Sequence, residues 1–114
     1  MLKFGFINFA AEREYKDLPE EVQDTFGRNL RNIQFGNDPT LPITHLQSVG
    51  NGVIELKING SPAFRCLYVT KFMDTVIVIH SFTKTTNGTD RQALQTAETR
   101  LKSLIAELKS NPKK

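Results

Sequence analysis

A chain of 114 residues, 39% apolar and 24% charged, has the length for one domain with its own core and an apolar content that disordered segments lack. Its formal net charge of +3 favours anionic partners only weakly, so the placement of the charges matters more than their total. The single cysteine, Cys66, excludes an internal disulfide and a cysteine metal cluster, and two histidines far apart in sequence give a zinc site little support.

Lys3 to Phe9 reads as a short, aromatic-rich first strand. Ala10 to Lys16 suits a helix whose solvated face carries Glu12, Arg13, Glu14 and Lys16. Pro19 fits the first turn of a second helix, with Glu20 and Glu21 near its positive end. Val22, Phe26, Leu30 and Ile33 recur there at helical spacing as one apolar stripe, Arg28 and Arg31 solvate the other face, and Gly36 caps the end. Asn37 to Gly52, punctuated by Asp38-Pro39, Pro42, Gly50 and Gly52, reads as a loop with His45 as a surface residue within it.

Val53 to Lys84 organises the chain. Three short apolar runs, rich in β-branched and aromatic residues, are separated by Asn59-Gly60-Ser61-Pro62 and by Met73-Asp74. Such short connections allow an antiparallel meander and are too short for a parallel crossover. Lys57, Arg65, Lys71 and Lys84 interrupt runs that otherwise read as core strands, and Cys66 reads as a small buried hydrophobe. Alternation places Glu55 with Lys57, Arg65 with Lys71, and His80 with Phe82 and Lys84.

Thr85-Thr86-Asn87-Gly88 is a polar turn, and Thr89 with Gln92 forms a capping box. The helix that follows carries a long stripe of Leu94, Ala97, Leu101, Leu104, Ile105 and Leu108, and Asn111-Pro112 ends it. The expectation is one domain over residues 1–110 with a basic tail at 111–114. Its order, β-α-α-β-β-β-α, predicts an α+β fold with a small, antiparallel-dominated sheet and helices packed on one face. The other face would then present Lys57, Arg65 and Lys84 as one concave basic surface. No run is long and apolar enough to span a membrane and no signal-peptide pattern is present, so a cytoplasmic protein without a membrane partner is expected.

Gly52-Val53-Ile54-Glu55-Leu56-Lys57, Phe64-Arg65-Cys66-Leu67-Tyr68, Val78-Ile79-His80-Ser81-Phe82-Thr83-Lys84, and Ala97 with Arg100-Leu101 form an ordered set. In that order and spacing the second half of the chain resembles the RelE/ParE toxin superfamily, most closely the phage-derived HigB-like branch of type II toxin–antitoxin systems. The resemblance implies a RelE-like fold and a ribosome-dependent mRNA endoribonuclease, an mRNA interferase that cuts codons in the ribosomal A site. It also implies a neutralising antitoxin encoded next door, often of helix-turn-helix type. The chain departs from the family pattern at Lys57, where many relatives carry arginine, and at Glu55, Thr85 and Asp90.

The chemistry of RNA cleavage fits residues that are present. Fixed cations stabilise a pentacovalent phosphorane, and the guanidinium fork of Arg65 suits a phosphate. A salt bridge from Arg65 to Glu55 is the structural alternative. Lys57 and Lys84 could hold flanking phosphates or transfer protons, or be solvated edge charge. His80 is a candidate for proton transfer, although it directly follows a core run. Tyr68 and Phe82 could stack on bases beside Lys71, or belong to the core. Glu55 is a candidate base, or a structural partner of Lys57 or Arg100. Neither metal nor other cofactor is expected. Two other functions stay open: a ParE-like gyrase inhibitor that cuts nothing, and a catalytically degenerate module that binds antitoxin or nucleic acid.

Overall fold

The computed structural model of the chain describes residues 1–84 and 90–110. Its elements are β1 (Lys3–Phe6), α1 (Phe9–Lys16), α2 (Glu20–Gln34), β2 (Ile43–His45), β3 (Ile54–Ile58), β4 (Ala63–Phe72), β5 (Thr75–Lys84) and α3 (Arg91–Ser110). The strands form one sheet in the order β1-β5-β4-β3-β2, antiparallel except where β1 pairs with β5. The α+β class and the meander from β3 to β5 are as expected.

Local chemistry explains where the elements begin and end. The first strand stops at Phe6 rather than Phe9 because Asn8 caps α1, its Oδ1 accepting from the Ala11 amide at 2.8 Å. The α1–α2 corner is tied by the Gln23 amide, which donates to the carbonyls of Lys16 and Leu18 at 2.9 and 2.7 Å. Gly36, at φ +82, closes α2 in the left-handed conformation that a helix C-terminus favours. Asn29 is a buried polar residue of α2: its Oδ1 accepts from the amides of Thr40 and Leu41, and its Nδ2 donates to the Thr25 carbonyl. It thereby anchors the chain that leads into β2. Strand β2 itself lies inside the segment read as loop, since three residues just beyond a proline carry no usable alternation.

The apolar set divides into two clusters on opposite sheet faces. Val22, Phe26 and Leu30 of α2 pack on Leu56, Phe64, Cys66, Tyr68, Val76 and Val78. Ala97 and Leu101 of α3 pack on Val53, Leu67, Val69, Ile77 and Ile79. The sheet is therefore covered on both sides, and no face is left wholly free for the basic residues. A helical stripe states that a helix is buried but not against which face, so the spacing of Leu94 to Leu108 could not decide this. The β2–β3 connection is fitted closely to α3: a Cβ added to Gly50 would lie 2.3 Å from Leu101 Cδ2.

Strand β5 carries a bulge. Leu67 pairs with His80 but the next residue, Tyr68, pairs with Val78, which leaves Ile79 as the extra residue. A second irregularity falls between Val69 and Phe72 of β4. Beyond it, Met73 and Asp74 form the two-residue turn to β5, both at positive φ, 56° and 50°. Thr89 of the expected capping box and the tail at 111–114 lie outside the described residues.

Candidate functional site

The register brings the cations together. Lys57 of β3 pairs with Arg65 of β4, Arg65 pairs with Phe82 of β5, and Lys84 follows Phe82 on the same side. Glu55, Lys57, Arg65, Phe82 and Lys84 line a cleft of about 230 Å³, closed on one side by Asp90 and Leu94 at the start of α3 and by Leu46. The cleft therefore sits on the α3 face, where the first turn of that helix stops short of covering the sheet.

Within the cleft the charges are not independent. Arg65 is buried, 8% exposed, and its Nη1 donates to the carbonyls of Phe64 and Ile58 at 3.0 and 3.4 Å. Its Nε lies 3.9 Å from Glu55 Oε2, a loose ion pair. Burial holds the Glu55 carboxyl above its ordinary 4.5, against the opposing pull of Arg65, Lys57 and Lys84, and the charge of Asp90 adds to the rise. Lys84 Nζ lies 3.3 Å from Asp90 Oδ2. The result is a carboxylate biased toward taking up a proton and ringed by fixed cations.

His80 faces a different groove. That groove is lined by His80, Phe82 and Thr83 of β5 and by Asp90, Gln92 and Thr96 among the residues at the start of α3. The two concavities meet at Phe82 and Asp90. His80 Nδ1 lies 2.8 Å from Glu14 Oε1 of α1, and Glu14 is gripped bidentately by Arg100 of α3 at 2.8 and 2.8 Å. Arg100 Nη1 also donates to the Ile79 carbonyl, at 3.0 Å, where the bulge exposes it. Burial opposes the charge on Glu14, but hydrogen bonds from Arg100 and His80 outweigh it and hold the carboxyl below 4.5. An ionised Glu14 accepts the Nδ1 proton, so Arg100, 3.4 Å from the same nitrogen, does not also donate to it. The His80 ring stacks on Phe82 with centroids 5.1 Å apart and planes at 28°.

The remaining candidates go elsewhere. Tyr68 belongs to the α2-side core at 2% exposure, with its hydroxyl pushed up to about 12 by burial, and takes no part in the cleft. Lys71 lies within the irregularity in β4, exposed, its stem packed over Gly52, so sharing sequence parity with Arg65 does not bring it to the cleft. Arg100 pairs with Glu14, not Glu55. Cys66 is fully buried, its thiol pushed up to about 12, as a core hydrophobe should be. Glu14, read from sequence as solvated charge, is the residue that sequence reasoning missed; its partners are 66 and 86 positions away, and nothing local signals them. Among the described residues there is no cluster of histidine, cysteine and carboxylate side chains able to hold a metal, and no helix long and apolar enough to cross a membrane.

A small α+β domain with cations and a half-buried carboxylate gathered where a helix meets an open sheet is the class of protein these features define. By comparison with known families, residues 13–102 match the family described as phage derived protein Gp49-like (DUF891), and the chain belongs to that family. The family is tied to toxins of toxin–antitoxin systems. No curated protein matches the chain.

Proposed function

We propose that this chain is the toxin of a type II toxin–antitoxin pair and acts as a metal-independent endoribonuclease on ribosome-bound mRNA, held in check by an antitoxin encoded beside it. The observation that carries the reading is the cleft in which Lys57, Arg65 and Lys84 surround the half-buried Glu55. In the proposed reaction the 2′-hydroxyl oxygen of one nucleotide attacks the adjacent phosphorus and gives its proton to Glu55. Arg65 and Lys57 stabilise the charge on the phosphorane. The bond from phosphorus to the 5′-oxygen breaks, and that oxygen takes a proton from Lys84. The products are a 2′,3′-cyclic phosphate and a 5′-hydroxyl end. The elevated carboxyl of Glu55 suits the base, because its affinity for a proton is closer to that of the working solution.

A second reading, a catalytically degenerate binding module, draws on the way Arg65 spends donors on the carbonyls of Phe64 and Ile58. The two readings separate on Glu55→Gln and Lys57→Ala, both at partly exposed positions. Induced from a tight promoter, wild type should arrest growth and leave mapped transcripts with new 5′ ends, while both variants should abolish the new ends. Variants that arrest growth with an unchanged cleavage map would remove the catalytic assignment. Arrest without any cleavage by wild type would favour a non-nucleolytic toxin.

A further inference from the structure

We infer that the groove on the His80 side of α3 is a nucleobase subsite, with the Glu14–Arg100 pair as its positioning residues. The inference rests on the ribonuclease reading and names where the nucleotide next to the scissile phosphate goes. His80 and Phe82 form a stacked pair along one wall, 5.1 Å apart, and Phe82 also lines the cationic cleft, so a base on this wall adjoins a phosphate held by Arg65. Gln92 and Thr96, one helical turn apart on α3, line the facing wall. An amide and a hydroxyl each donate and accept, which suits the edge of an unpaired base, and a flat ring pair suits its face.

The ring is fixed before any base arrives. Its Nδ1 donates to Glu14 at 2.8 Å, and Arg100 locks Glu14 through two bonds while also holding the Ile79 carbonyl. That commits Nδ1 as the protonated nitrogen and leaves Nε2, which makes no hydrogen bond among the described residues, available to a ligand. A ring set in this way loses little freedom on binding.

The test uses the full chain and 2′-O-methyl RNA trinucleotides, which bind but lack the nucleophilic hydroxyl. Each is compared with a counterpart that is abasic at one position. Stacking of a single base predicts roughly tenfold weaker binding for one abasic counterpart. The intact trinucleotide should also shift the NMR signals of the His80 ring and of the Gln92 side-chain amide. Gln92→Ala, at an exposed helical position, should shrink the difference between intact and abasic ligands without unfolding the chain. Glu14→Gln should shrink it as well and should change the tautomeric signature of the His80 ring, which a purely structural Glu14 would not couple to base binding. Equal affinity for intact and abasic ligands, or NMR shifts confined to the cleft around Arg65, would overturn the subsite. Base-dependent binding without any cleavage of transcripts would leave the subsite standing and remove only the ribonuclease reading.

Discussion

Arg100→Ala tests how α1 and α3 are held to the sheet. The guanidinium makes two charge-assisted bonds to Glu14 and one to the Ile79 carbonyl, and its side chain is mostly buried. Losing one partner of a buried pair costs about 3–5 kcal/mol, and the partial exposure of Glu14 argues for the lower end, about 3 kcal/mol. The cost must depend on pH. Glu14 titrates below its ordinary 4.5 in the fold, so the stability it contributes is present above that value and is lost as pH falls through the lowered one. Urea unfolding followed by circular dichroism should show a deficit of about 3 kcal/mol at neutral pH that shrinks in acid. A deficit below about 1 kcal/mol at neutral pH, the range of exposed pairs, would mean that the network is surface decoration. A full deficit that persisted after Glu14 is protonated would place the lost energy in packing instead of charge.

Three further outcomes follow from the same geometry. Glu55 titrates above 4.5 in the fold, so its contribution to stability falls as pH rises through that range; Glu55→Gln should unfold at a temperature equal to or above wild type at neutral pH while losing cleavage. The turn at Met73 and Asp74 imposes positive φ on both residues, so the double change Met73→Asn with Asp74→Gly should raise stability by about 1 kcal/mol in thermal melts. Gly50→Ala should destabilise by about 1–3 kcal/mol through its collision with Leu101, and the effects of Gly50→Ala and Leu101→Ala should be less than additive in a double-mutant cycle on urea midpoints.

The helices and the central meander were legible because burial writes itself into spacing: Val22, Phe26 and Leu30 at helical intervals, and alternating residues in β3 and β4. The pairing of Lys57 with Arg65 was legible for the same reason, since alternation and short turns restrict which residues can be neighbours, whereas Lys84 joins them only through the extra residue in β5, which alternation does not show. Spacing does not record which face of the sheet a stripe covers, so the division of α2 and α3 between two faces needed the coordinates. It does not record pairings between distant segments either, which is why Glu14 passed for solvent-facing charge. Tyr68 stayed open between the two roles because a strand aromatic suits both a core and a stacking platform, and its place in the α2-side core needed the coordinates.

The extra residue in β5 works like a change of phase in a wave. Val76 and Val78 point toward α2, and strict alternation would send His80, Phe82 and Lys84 after them, away from Arg65. Ile79 resets the count, so the two halves of one strand answer to different masters: the first serves the α2 core, the second the open cleft. Each half is thereby free to change without dragging the other along. The length of β5 between Ile77 and His80 is not. Removing a single residue there would turn the outer half of the strand over, dismantling the cationic cluster while leaving every charged residue in the chain.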